Sequence, residues 1–142
     1  YVHVAHDCIM GNNSILANGV QLGGHVKIGD NTIIGGMTPV HQFCMVGDYS
    51  FIGGGLRIVQ DVPPYILAMG EPLRFAGLNF TGLKRHGFSQ DLCNQIKRVY
   101  KEIYQSKLNR TQAVVQIKKK FKNIKEIENI LSFIEESKRG LI

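Results

Sequence analysis

Four of the five histidines, His3, His6, His25 and His41, fall in or beside dipeptides spaced eighteen residues apart: His6-Asp7, Gly24-His25, Gln42-Phe43 and Gln60-Asp61. Imidazole is the side chain best suited to moving a proton near neutral pH. The carboxylate beside it, Asp7, can orient the ring. Gly24, one interval further on, offers a backbone N–H with no side chain in front of it, the kind of donor that stabilises an oxyanion. Base, orienting carboxylate and oxyanion donor together describe acyl transfer or hydrolysis through a tetrahedral intermediate. No Ser or Cys occupies these positions, so the expected chemistry is direct attack by a substrate hydroxyl or amine that His6 activates, without an acyl-enzyme.

The interval of eighteen comes from a shorter period of six. Cut from Val2, residues 2–61 read as ten hexads whose third position is Val4, Met10, Leu16, Leu22, Ile28, Ile34, Val40, Val46, Ile52 and Ile58, aliphatic in all ten. The next position is Gly or Ala in eight of them, and 11 of the 16 glycines lie before residue 62. A large apolar side chain every six residues followed by a tiny one predicts short strands that bury one side chain and then bend. Such a unit cannot cover its own apolar face, whereas stacked coils can. Three hexads close one triangular coil, and successive coils pair as parallel strands about 4.8 Å apart, so residues 1–66 are expected to form a parallel β-helix. Glycines are expected at its corners, where a side chain would clash or a positive φ is needed. Two of the three corners hold ordinary turn residues such as Asn12-Asn13, Asp30-Asn31 and Gly54-Gly55, while the third collects the histidines. Cys8 and Cys44 share a column two coils apart, too far to bridge, and read as small core residues.

The Pro63-Pro64 pair cannot donate to a ladder and is expected to end the sheet, with residues 65–87 irregular. From Ser89, a candidate N-cap, Leu92, Ile96, Val99, Tyr100, Ile103 and Tyr104 fall on one helical face. A second helix is expected near Thr111, with Val114, Val115, Ile117 and Phe121, and a third from Lys125, with Ile127, Ile130, Leu131 and Ile134. Residues 67–142 thus read as a connecting segment and a helical domain.

Charge divides along the same line. Residues 1–61 carry two basic against four acidic side chains, a net −2, and residues 62–142 carry fifteen against seven, a net +8. The basic half is the expected meeting place for an acidic partner. It shows no aromatic-interleaved basic stripe, zinc-finger spacing or RNP-type motif, so nucleic acid is not the expected partner. With 44% hydrophobic and 20% charged residues and no apolar run near 18, the chain reads as a globular domain without a membrane span. Three cysteines without a CxxC pair suit a reducing cytoplasm. Tyr1 falls inside the repeat, so earlier coils are expected to precede it.

The strings HVAHDC at 3–8, LGGHV at 22–26, IIGGMTPVHQF at 33–43, QDVPPY at 60–65 and GLKRHGF at 82–88 resemble those of the acyl-acyl carrier protein:UDP-N-acetylglucosamine O-acyltransferase family of lipid A synthesis. The resemblance covers the whole chain. It implies a left-handed parallel β-helix with a C-terminal helical domain, assembled as a homotrimer with active sites between neighbouring β-helices. It also implies transfer of a 3-hydroxyacyl group from acyl carrier protein, an acidic helical bundle, to the sugar 3-hydroxyl, with no metal or organic cofactor. By position, His6 matches the general base, Asp7 its hydrogen-bond partner and Gly24 the oxyanion donor. His25 and Gln42 match contacts to the nucleotide sugar, and His3 and His41 match other active-site histidines. Asn79 and Arg85 match phosphate and carrier-protein contacts, and Gly54 the position that measures acyl length, where glycine leaves room for a long chain. Thr81 and His86 depart from the family pattern, standing where relatives carry an acid and a second Arg. Two other activities fit the same residues: acylation of a 3-amino sugar nucleotide, and a zinc site built from His3, His6, His25 and His41, as in hexapeptide-fold carbonic anhydrases.

Overall fold

The structure is a computed structural model that describes residues 1–142. Nine two-residue strands come first: β1 (His3–Val4), β2 (Ile9–Met10), β3 (Ile15–Leu16), β4 (Gln21–Leu22), β5 (Lys27–Ile28), β6 (Ile33–Ile34), β7 (Pro39–Val40), β8 (Met45–Val46) and β9 (Phe51–Ile52). Each of the first six pairs in parallel with the strand three places on, giving the three faces β1-β4-β7, β2-β5-β8 and β3-β6-β9 of a triangular prism. The register aligns Val4 with Leu22 and Val40, Met10 with Ile28 and Val46, and Leu16 with Ile34 and Ile52. These are the three columns the hexads predict.

From Val20 to Ser50, the smaller side chain two residues before each aliphatic position is also buried. Thr32, Thr38 and Ser50 are fully buried, and each hydroxyl donates to a carbonyl of the next coil: Thr32 to Gly47 (2.8 Å), Thr38 to Gly53 (3.3 Å) and Ser50 to Pro63 (2.8 Å). A buried hydroxyl is tolerated only when bonded, and no buried side-chain polar atom is left without a partner.

The corners differ from expectation. Their left-handed positions are mostly filled by residues other than glycine: Asp7, Asn13, His25, Asn31, Met37, Phe43 and Tyr49. Most repeat glycines have an ordinary φ and meet the other expected need, room where a side chain would clash. A Cβ on Gly23, for example, would lie 2.7 Å from Gln42 N in the next coil, so the small residue after each aliphatic one sets how closely the coils approach.

The sheet also runs past the prolines. Val62 bridges Val46, and β10 (Ile66–Met69) adds in parallel to β9, then turns into antiparallel β11 (Arg74–Leu78). The segment expected to be irregular is therefore a hairpin, and the boundary placed between residues 66 and 67 falls inside β10. Proline removes a donor but keeps its carbonyl, and Pro63 and Pro64 both accept here, Pro64 from Tyr100 Oη at 2.6 Å.

Four helices follow: α1 (Phe80–Arg85), α2 (Gln90–Gln105), α3 (Arg110–Lys120) and α4 (Lys125–Glu136). Ser89 caps α2 by accepting from Leu92 N, and Asn109 opens α3 with a capping box to Gln112. Ile96, Val99 and Tyr100 of α2 and Ile127, Ile130, Leu131 and Ile134 of α4 are buried as expected. In α3 the inward face is Ala113 and Ile117, while Val115 is 47% exposed. The helices share one apolar core with the prism. Asp61 fastens the chain end to it: its carboxylate accepts from Met45 N, Ser137 Oγ and Arg139 N, and its backbone pairs with Gly140 and Ile142. At the Gln60-Asp61 level Asp61 is buried beneath the chain end, which bridges to it at Leu141, while Gln60 stays exposed. No helix is long and apolar enough to cross a membrane.

Candidate active site

The eighteen-residue interval brings His6, Asp7, Gly24 and His25 together on the edge between the β1 and β2 faces. His25 N donates to His6 O at 3.1 Å and Phe43 N to Gly24 O at 3.0 Å, so the three corner levels are stacked by backbone bonds. His6 Nδ1–H donates to Asp7 Oδ2 at 2.8 Å. That bond selects the tautomer with a free lone pair on Nε2, the atom a general base uses. Asp7 reaches its partner from a left-handed corner residue, φ +59°, a conformation Asp tolerates well. The hydrogen bond from His6, with the His25 imidazole nearby, holds the Asp7 carboxyl below the usual carboxylate range.

Gly24 sits directly against the His6 ring. A Cβ there would lie 2.8 Å from His6 Nε2 and 2.9 Å from Cε1. The glycine therefore keeps the lone pair clear, a steric reason the linear sequence does not contain. Its N–H donates to no group in the chain, and the residue itself is buried behind the His6 ring. His6 and Asp7 are open to solvent, their side chains 74% and 65% exposed, so the edge supplies chemistry but no walls of its own.

His25 meets His6 edge-on at 5.1 Å between ring centroids and stacks on Phe43 at 4.8 Å. Phe43 is the part of this cluster that residue type and spacing do not reveal. A groove of about 650 Å³ opens beside it, lined by Lys27, Met45, Lys138 and Arg139, with Lys27 paired to Glu136. His41 lies one coil above His25, its Nδ1–H donating to Gln42 O at 3.0 Å, and His3 lies on β1; both are exposed.

The other expected residues stand elsewhere in the chain. Asn79 caps α1: its Oδ1 accepts from Gly82 N and its Nδ2 donates to Tyr49 O at 2.9 Å. With Arg85 and Thr81 it borders a groove of about 370 Å³ on the outer face of the β3-β6-β9 sheet, beside Ile33 and Phe51. His86 turns inward to Gly82 O and rests against Tyr49. Gly54 is at the third corner, where a Cβ would lie 3.1 Å from Gly36 O, so glycine there also meets a packing need. A metal would find a different set from the four histidines expected. Only His6, Asp7 and His25 bring one donor atom each within 4.8 Å of one another, and His6 Nδ1 and Asp7 Oδ2 are already bonded to each other.

Residues 7–38 match a model of six bacterial transferase hexapeptide repeats, and residues 61–142 match the second domain of UDP-N-acetylglucosamine O-acyltransferase. Among curated relatives, the acyl-[acyl-carrier-protein]–UDP-N-acetylglucosamine O-acyltransferase of Aliivibrio fischeri strain MJ11 is 43% identical over 141 residues, 99% of this chain and 54% of its own length. That of Thiobacillus denitrificans is 39% identical over 142 residues, 100% of this chain and 55% of its own. The crystal structure of a UDP-N-acetylglucosamine acyltransferase from Bacteroides fragilis superposes with a TM-score of 0.96 at 44% identity, covering 99% of this chain and 55% of that one. The Francisella novicida enzyme gives 0.95 at 40% identity, with 100% and 52% covered. The chain spans about half the length of the curated relatives it matches. The hexapeptide match lies within the coils, and the second-domain match begins at Asp61 and takes in the hairpin and helices, more than half of the chain. On that agreement the chain belongs to the UDP-N-acetylglucosamine O-acyltransferase family.

Proposed function

We propose that the protein containing this chain transfers a 3-hydroxyacyl group from acyl carrier protein to the 3-hydroxyl of UDP-N-acetylglucosamine, the first step of lipid A synthesis in the cytoplasm. The observation that carries the reading is the His6–Asp7 bond, with Nε2 left open against a glycine. In the reaction His6 Nε2 takes the proton of the sugar hydroxyl as its oxygen bonds to the thioester carbonyl carbon. The oxyanion that forms accepts from Gly24 N–H. Collapse of the tetrahedral intermediate breaks the C–S bond, and the leaving thiolate recovers the proton from His6. No step calls on a metal or an organic cofactor.

His25, Gln42, His3 and His41 then face the nucleotide sugar along the same edge. Asn79 and Arg85 stand on a different face, so a site that uses both sets takes them from two neighbouring chains, as in a homotrimer. Asn79 has both amide atoms engaged within its own chain, which leaves Arg85 as the freer contact for phosphate or carrier protein. Gly54 leaves the third corner open for a long acyl chain.

The test is the full-length protein with UDP-N-acetylglucosamine, or its 3-amino analogue, and a series of acyl carrier protein thioesters. His6→Ala should lower turnover by about 10²–10⁴-fold, the usual worth of a positioned general base. Unchanged turnover would remove His6 from the chemistry, and a preference for the amino analogue would make the enzyme an N-acyltransferase.

A further inference from the structure

Phe43 fills a corner position at a conformational cost. Its φ is +66°, a left-handed conformation that Gly, Asn and Asp adopt readily and that is strained for a bulky side chain. The residue is 54% exposed, so burial does not compensate. Asn13 and Asn31 occupy equivalent corner positions without that cost. Tyr49, another aromatic in this conformation, is accounted for by its neighbours: it packs among Tyr65, His86 and Phe88.

What Phe43 touches is His25. The two rings are parallel within 8°, with centroids 4.8 Å apart, the spacing that the inter-coil ladder imposes on flat side chains at successive corners. On the side of the preceding coil, His25 Nε2 is 3.8 Å from Asp7 Oδ2, the same oxygen that accepts from His6. The carboxylate thus faces two imidazoles, and the second is held between Asp7 and Phe43.

We propose that Phe43 is a positioning residue for acyl transfer: its ring fixes the His25 imidazole against Asp7 and, through Asp7, the orientation of the His6 base. The inference rests on the acyl-transfer reading above. Without the ring, His25 gains the freedom to turn toward the neighbouring groove, and Asp7 loses the imidazole that confines it on the side away from His6. Misplacing a catalytic group by about 1 Å can cost about 100-fold, so partial loosening of the pair is visible in turnover.

Phe43→Asn separates this role from a structural one, because asparagine suits the left-handed corner better than phenylalanine does. In the full-length protein, Phe43→Asn should keep or raise the thermal midpoint while lowering kcat about tenfold, with KM for both substrates within about threefold. Phe43→Tyr, which keeps the ring, should return kcat to within about twofold of wild type. Nitrogen NMR of selectively labelled histidine gives a readout independent of turnover: the His25 ring should be ordered in wild type and Phe43→Tyr and averaged in Phe43→Asn. Wild-type kcat in Phe43→Asn, or an unchanged His25 signal, overturns the proposal. So does a rise in KM at constant kcat, which would make Phe43 a direct substrate contact. Failure of the acyl-transfer reading would appear instead as an inactive wild type, and the His25 signal would still decide the stack.

Discussion

Asp7 owes its low carboxyl pKa to two imidazoles, with the hydrogen bond from His6 the larger cause. A depressed carboxylate favours the folded arrangement above its unfolded value, and the preference disappears only as pH falls through the lower folded value. The His6–Asp7 bond should therefore survive acidification below the range where free aspartate protonates. Carbon NMR of the Asp7 carboxyl checks this: it should titrate below an unstructured aspartate, and His6→Ala should move it back up. A normal titration in wild type would show that the bond does not persist in solution. At this scale much was legible in advance, since the period of eighteen alone puts His6, Asp7, Gly24 and His25 on one edge. What stayed hidden were contacts between coils: the closeness of Gly24 to Nε2, the Phe43 stack, and the commitment of Asn79 to Tyr49 and Gly82. These depend on side-chain direction, which spacing does not specify.

Among the elements, the coils were readable because each repeats one simple requirement, an aliphatic residue pointing inward. The hairpin β10–β11 was not, because Ile66–Met69 is a short apolar run with no alternation, and Gly70 and Pro72 beside it look like loop punctuation. Its register comes from β9, an element of the preceding coil. In α3, Val115 and Ala113 exchange the places that hydrophobicity assigns them, since the helix turns its smaller residue toward the crowded core. The interior makes its own prediction. Thr38 is fully buried and donates across coils to Gly53 O, so Thr38→Val should cost about 1–3 kcal/mol by leaving that carbonyl unpaired. Chemical denaturation of the two proteins measures it. No change would mean that another donor takes over. Cys44 is also interior, and burial pushes its thiol up to about 11, consistent with a core residue rather than a nucleophile.

Over the whole molecule, charge and shape divide together: a slightly acidic prism carries the histidines, and a strongly basic hairpin-and-helix region follows it. On the proposed function, the attraction of this region for an acidic carrier protein is screened by salt, so KM for the acyl donor should rise with ionic strength while KM for the nucleotide sugar changes less. Arg85→Ala should weaken carrier binding more than neutralising the run Lys118, Lys119, Lys120, in which Lys120 is already paired with Glu102. Carrier affinity unaffected by Arg85→Ala would place the docking surface elsewhere.

The stacking of identical coils fixes how the prism can change length. Removing or adding six residues turns everything beyond that point by one face of the triangle, sending Gly24 or Gly54 to a different edge. Removing or adding eighteen leaves every face as it was and shifts one part along the axis by about 4.8 Å. Distance between the histidine edge and the Gly54 corner is therefore available to this fold only in whole-coil steps, and finer adjustment falls to side-chain size at the corners themselves.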